Sequence, residues 1–237
     1  MTEKIVYVGK DLEAMSFAEN YHRWILEEFR PFLGRKIVEV GAGTGSFSAM
    51  LLDERPETLA LVEPSEMFER LRENVGRIET ATRVDFFQSI FRETAAKLSE
   101  QPDTILYVNV LEHIEDDAGE LESVRETLAP GGNCLIFVPA FQALYGAFDR
   151  KVGHFRRYAK KELEEKARRA GFAIVRSNYF DFAGVVPWFV KYRILKSDSL
   201  DAGAVAAYDK YAVPWTRRFE RLVGAPVGKN VLAVFRK

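Results

Sequence analysis

The run Val38-Glu39-Val40-Gly41-Ala42-Gly43-Thr44-Gly45 decides the fold. An apolar strand enters a turn built on three glycines, and a helix is expected from about Ser46. Glycine there lets the chain turn sharply and lets a ligand lie against bare main chain. The helix that follows offers unpaired N–H groups at its start. The spacing is Gly41-x-Gly43-x-Gly45, not the G-x-G-x-x-G of a dinucleotide turn, and an acid, Glu39, precedes it. A phosphate gains nothing from a carboxylate beside it, whereas a cationic ligand gains a charge-assisted hydrogen bond. A nicotinamide-dependent oxidoreductase is disfavoured on both counts. A second acid, Glu63, follows the next strand. Open α/β sheets bind ligands outside the carboxyl ends of their strands, and an acid there can accept two hydrogen bonds from a ribose diol.

Outward from this turn, short β-like runs alternate with amphipathic helical runs, the pattern of a parallel sheet covered by helices. Strands are expected at Lys36–Val40, Thr58–Val62, Arg83–Phe87, Thr104–Val108, 133–138, 173–177 and 231–235. Helical spacing covers 67–74, with Ser65 as N-cap. It covers 117–128, where Leu121, Val124 and Leu128 share a stripe and Pro130-Gly131-Gly132 ends the helix. It covers 160–170, closed by Gly171. No repeat, low-complexity tract or linker divides the chain, so residues 1–237 read as a single domain. Two regions stand outside the alternation. Residues 1–35 carry Tyr7, Phe17, Tyr21, His22 and Trp24 and read as an N-terminal cap. Residues 179–228 read as an aromatic insertion or lid.

The 237 residues are 47% hydrophobic and 29% charged, with a net charge of −1. These are ordinary values for a soluble domain with a real core. A protein that grips nucleic acid by its phosphates shows a basic surplus; none exists here, so no nucleic-acid partner is expected. The lone Cys134 lies in an apolar run and reads as a core residue in a reducing compartment. Residues 1–10 lack the apolar stretch of a signal peptide. The apolar residues of 180–195 are interrupted by Asp181, Lys191 and Arg193, so no integral membrane segment is expected and the cytoplasm is the default location.

Four motifs in order resemble the class I S-adenosylmethionine (SAM)-dependent methyltransferases. They are Glu39-Val-Gly-Ala-Gly-Thr-Gly45, Leu61-Val-Glu63-Pro-Ser, Val108-Asn-Val-Leu-Glu-His-Ile114 and Leu128-Ala-Pro-Gly-Gly-Asn133. The resemblance implies a Rossmann-like, seven-stranded, mostly parallel sheet that ends in a C-terminal antiparallel hairpin, with helices on both faces. SAM has an amino group, a sulfonium and no phosphate, in keeping with the acid before the turn. By the same resemblance, Glu39 and the backbone of Gly41, Ala42, Gly43 and Gly45 hold its methionine part. Glu63, with Pro64, holds the ribose, and Met67 packs on the adenine. Gln88, Ser89 and Ile90 follow the third strand where the family contacts adenine, although the family often has an acid there; Asp85 is the alternative. Asn109 and Val110 face the methionine end, and Tyr21 joins the cofactor set from the cap. Tyr7-Val-Gly, Asn20-Tyr-His-Arg-Trp24 and Gly153-His-Phe-Arg-Arg-Tyr158 look like a bacterial subgroup of small-molecule methyltransferases, associated with surface-polysaccharide, lipid and secondary-metabolite pathways.

Methyl transfer is an in-line displacement at an activated carbon, so a protein mainly positions the reactants and removes a proton where needed. His113, His154, Tyr158 and Tyr21 are the candidate bases. Glu112-His113 is similar to the metal-holding acid-x-x-Glu-His pattern of the ubiquinone-pathway O-methyltransferases. Here Asn109 replaces the first acid, and no metal is expected. Adjacent Arg156 and Arg157 point in different directions. One is expected to clamp an anionic acceptor while the other meets solvent or a carboxylate such as Asp149; a salt-bridge cluster is the competing reading. Trp188, with Phe189, Tyr192, Phe180 and Phe182, reads as an acceptor pocket or plain core first. A membrane-surface patch flanked by Lys191, Arg193 and Lys196 ranks last. The acceptor is expected to be a small molecule. No Asn-Pro-Pro-Tyr signature for base methylation occurs, and a SAM-binding protein without catalysis and a homodimer both stay open.

Overall fold

The computed structural model describes residues 18–237. Tyr7, Phe17 and half of the expected N-terminal cap lie outside the described residues.

Seven strands form one sheet: β1 (Lys36–Val40), β2 (Thr58–Val62), β3 (Arg83–Phe87), β4 (Thr104–Val108), β5 (Asn133–Pro139), β6 (Ala173–Phe180) and β7 (Asn230–Arg236). Their order is β3-β2-β1-β4-β5-β7-β6. The first five are parallel, and β7 runs antiparallel between β5 and β6. This is the Rossmann-like sheet with its terminal hairpin. The first four strands have the expected bounds. The last three are longer, because pairing carries them past their apolar stretch: Pro139 faces Asn230 across β5–β7, and Asn178 and Tyr179 face Leu232 and Val231 across β6–β7. Tyr179 and Phe180 therefore end β6 and do not begin the insertion.

Successive strand side chains alternate between two buried layers. Ile37, Leu59, Leu61, Leu106, Leu135 and Phe137 face one core; Val38, Val40, Ala60, Val62, Ile105 and Ile136 face the other. Burial on both faces is why these strands read as nearly unbroken apolar runs.

Among the described residues the helices before β6 are α1 (Glu19–Phe29), α2 (Ser46–Asp53), α3 (Phe68–Gly76), α4 (Phe91–Ala95), α5 (Asp117–Thr127), α6 (Ala147–Lys151) and α7 (Lys160–Arg169). Three more follow β6: α8 (Val185–Trp188), α9 (Ala202–Ala207) and α10 (Val213–Val223). Wider π-type turns, Phe189–Ile194 and Tyr208–Ala212, extend α8 and join α9 to α10. Asp116 caps α5 by accepting from Gly119 N at 3.1 Å, and Gly171, at φ 87°, follows α7. Ser65 does not cap α3 directly; its Oγ accepts from Met67 N one turn earlier, at 3.2 Å.

From the cap, α1 drives Tyr21, Trp24, Ile25 and Phe29 into the core. Ala18, at its N-cap position, offers no side-chain cap. Asp209, from the segment after β6, accepts from Asn20 N at 3.0 Å and Tyr21 N at 2.8 Å and does that work across 188 residues. Among the described residues no helix is long and apolar enough to cross a membrane.

Candidate functional site

The strand order reverses between β1 and β4, and a cleft opens at the carboxyl ends of the strands there. Its floor is the glycine turn. Gly41, Gly43 and Gly45 adopt φ of 72°, 57° and 89°, the left-handed region glycine enters without strain. A β-carbon on Gly41 would stand 2.4 Å from a methyl of Val110, so this glycine lets the loop after β4 pack against the turn. A β-carbon on Gly43 would meet nothing within 4 Å, because this backbone faces the open cleft. Gly45 differs from expectation. Its α-carbon lies against Val75 and Leu71 of α3, where it serves helix packing and lines no part of the cleft.

Two buried acids flank this turn. Glu39 accepts a 2.5 Å hydrogen bond from Ser48 Oγ. Burial, with the Glu63 charge adding to it and the Ser48 bond opposing, raises its carboxyl to about 8. Glu63 accepts from Gly43 N at 2.8 Å and from Ser65 N at 2.9 Å, which fixes the turn against the end of β2. A carboxylate has about four acceptor positions, so two remain for a diol. Asn109, at the end of β4, holds φ of 55°, a conformation asparagine tolerates better than most side chains, and lines the cleft. Ala42, Met67, Val110 and Tyr21 line it as well. Pro64, Gln88 and Ser89 do not. Gln88 is exposed, and Ser89 Oγ shares a 2.5 Å hydrogen bond with Thr94 Oγ1 of the following short helix.

The opposite wall carries titratable groups. His154 Nδ1 lies 2.9 Å from Asp149 Oδ1, and its Nε2 lies 3.8 Å from Glu112 Oε1. Asp149 is fully buried; it also accepts from Arg157 Nε at 2.7 Å and Gly146 N at 2.8 Å. Burial alone would raise its carboxyl. The His154 bond and the Arg157 charge more than reverse that and hold it below the usual range. An ionised Asp149 fixes the proton of His154 on Nδ1 and leaves Nε2 as the acceptor. Glu112 is fully buried with no hydrogen-bond partner among the described residues on either carboxylate oxygen, and burial raises it to about 7 against the His154 charge. His113 stacks edge-on against His154 at 4.5 Å, and burial lowers it to about 3.

Donor atoms of Glu112, His113 and His154 come within 4.8 Å of one another, a spacing that could hold a metal ion. The sequence showed only the Glu112–His113 half of this group, because His154 arrives from another loop.

Two candidates take other places. Tyr158 is fully buried outside the cleft, its hydroxyl donating to Asp117 Oδ2 at 2.8 Å. Its pKa is raised by burial first and Asp117 second, so it is no base. Arg156 turns away to Asp117 at 2.9 Å and Glu115 O at 2.7 Å, whereas Arg157 lines the cleft and carries the ion pair with Asp149. The adjacent arginines do point apart, and both form ion pairs. Tyr21 lines the cleft but donates its hydroxyl to Asn230 Oδ1 at 3.0 Å, and burial holds its pKa well above the ordinary phenol value.

Trp188 closes the far end of the cleft, its ring 4.7 Å from the Arg157 guanidinium and 5.5 Å from the Lys229 ammonium. His22, from the Asn20-Tyr-His-Arg-Trp24 stretch, lines the same space, as do Lys229, Asn230 and Phe148, which carry no local signal in the sequence. The antiparallel course of β7 brings Lys229 and Asn230 there, since the start of β7 lies beside the end of β5.

A methyltransferase-domain family model matches residues 14–177, well over half of the chain. The chain belongs to this methyltransferase family. The ubiquinone biosynthesis O-methyltransferase of Vibrio atlanticus (strain LGP32) is 26% identical over 110 residues, 46% of this chain and 46% of that relative, so the chain spans about half the length of this curated relative. A SAM-dependent methyltransferase from Archaeoglobus fulgidus superposes with a TM-score of 0.64 at 17% identity, covering 95% of this chain and 98% of that one. The N-methyltransferase NodS from Bradyrhizobium japonicum WM9, solved with S-adenosylhomocysteine, gives 0.59 at 15% identity, covering 93% and 87%. These two share the class I methyltransferase fold with this family member.

Proposed function

We propose that this methyltransferase binds SAM in the cleft and moves its methyl group to an oxygen or nitrogen of a small-molecule acceptor bound beside His154. The observation that carries the reading is one cleft with two differently equipped walls. Glu39, the Gly41–Gly43 backbone and Glu63 stand on one side, and the Asp149–His154 pair stands on the other.

The cofactor side fits a cation. Glu39 becomes a hydrogen-bonded carboxylate when an ammonium group faces it. Glu63 has acceptor positions left for a ribose diol, and Met67 can cover an adenine edge. When bound, SAM supplies a methyl group on a positively charged sulfur, already activated for displacement. The chain then has to align the acceptor and take its proton. His154 Nε2 accepts that proton, and the resulting imidazolium lies between Asp149 at 2.9 Å and Glu112 at 3.8 Å. Arg157 and Lys229 line the acceptor end, each paired with a buried acid, Asp149 at 2.7 Å and Asp181 at 3.2 Å.

The test is release of S-adenosylhomocysteine from SAM in the presence of pooled hydroxyl- and amine-bearing metabolites. The wild type is expected to turn over. His154→Gln is expected to lose about 10²- to 10⁴-fold in kcat while binding SAM unchanged. Turnover abolished by chelation and restored by a divalent ion would instead make Glu112, His113 and His154 metal ligands. Full activity in His154→Gln would remove the base from the proposal.

A further inference from the structure

The segment between β6 and β7 has two faces. One lines the cleft through Trp188. The other is apolar and faces solvent: of the fifteen exposed large hydrophobic residues in the described chain, eleven lie within 186–227. Scattered singly, such residues would mean nothing, but these run in stripes. Tyr211, Trp215, Phe219 and Leu222 or Val223 recur every three or four positions along α10 and the turn before it, so they share its outer face. Trp215 is 74% exposed and Leu222 85%. Val186, Val190 and Ile194 do the same along α8 and its extension. Phe182, one turn before α8, packs its ring 5.0 Å from that of Phe219 and joins the two stripes.

The charge around them is one-sided. Residues 182–228 hold seven basic and four acidic side chains in a chain whose net charge is −1. Two of those acids are occupied inside: Asp209 holds the start of α1, and Glu220 accepts from Asp181 N and Phe182 N; of the basic side chains, Arg217 and Arg221 share Glu27 of α1. Arg193, Lys196, Lys210 and Arg218 are exposed. This whole segment also lies beyond residues 14–177, which the family model spans.

We infer that the α8–α10 face is a membrane-docking surface that lies in the headgroup region of anionic lipid. Apolar stripes with basic residues beside them are what an interfacial helix presents to such a surface. A second copy fits less well. A two-fold contact would set basic surface against basic surface, whereas anionic headgroups neutralise it.

The experiment is cosedimentation of the whole protein, without SAM, with vesicles of phosphatidylcholine alone or with about 30% phosphatidylglycerol, alongside tryptophan fluorescence of the wild type and of Trp215→Phe, whose difference isolates Trp215 from Trp24 and Trp188. The account expects binding to the anionic vesicles, a blue shift of emission, and weakening by high salt. Leu222→Glu and Phe219→Glu should each lower the partition coefficient about tenfold or more, since each removes an exposed apolar anchor. Both sites are solvent-facing, so circular dichroism and SAM binding should match the wild type. No binding to anionic vesicles, or self-association that buries Trp215 without lipid, would overturn the inference. Because vesicle binding is read without SAM, neither result bears on the cleft.

Discussion

Glu39 meets two opposed demands. Folding buries its carboxyl and favours the neutral form, raising it to about 8, while a cationic ligand needs the carboxylate. The sign of the linkage follows. A carboxyl raised above its unfolded value stabilises the fold at low pH, and that contribution is lost as pH rises from the ordinary carboxylate range through about 8. Glu39→Gln, which cannot ionise, is therefore expected to gain in Tm relative to wild type between pH 5 and pH 9 while losing SAM binding. Wild-type SAM affinity should rise with pH up to about 8, with a proton released on binding at pH 7. Titration calorimetry in buffers of different ionisation enthalpy measures that proton. A pH-independent affinity with no proton release would mean that Glu39 is already ionised in the free protein.

At the scale of elements, α1 and the segment after β6 depend on each other. Asp209 satisfies the first N–H groups of α1, a capping role that Ala18, at the N-cap position, does not fill. Asp209→Ala is expected to cost about 1–2 kcal/mol, within the range for lost helix caps. For a chain of this size that lowers Tm by several degrees. Amides of α1 should exchange faster, because Asp209 ties the start of the helix that carries Tyr21 into the cleft. An unchanged Tm and exchange pattern would show that the α1 packing alone holds it. This clamp was not legible in the sequence. Asp209 sits between Tyr208 and Lys210 in an alanine- and tyrosine-rich run, and nothing local marks it as a cap for a helix 188 positions away. The parallel strands were legible, because burial on both faces writes itself as short apolar runs between Gly and Pro breaks. The hairpin strands were read too short, since their last residues are held by partners and not by their own pattern.

Over the whole molecule, the cofactor side of the cleft was readable and the acceptor side was only half so. Glu39, Gly41, Gly43 and Glu63 are consecutive motifs on adjacent strand ends, so sequence order and spatial order agree. Gly45 shared their spacing yet serves α3, a distinction that depends on Val75 and Leu71. His154 was singled out by its neighbours, but its setting joins the nearby Asp149 to Glu112, which comes from the loop after β4. Tyr158 looked equivalent in sequence; the β-bridge of Ala140 with Tyr158 turns it into the opposite core, onto Asp117. Trp188 and the exposed stripes beyond it come from one run, whose two helical faces do different things.

The account rests most directly on what the cleft binds. Calorimetric titration of the pure protein with SAM, with NAD as control, on wild type and Glu63→Ala tests it. The account predicts SAM binding by the wild type, severe weakening in Glu63→Ala and no heat from NAD. Absence of SAM binding by a folded wild type, or binding of NAD in its place, would contradict it.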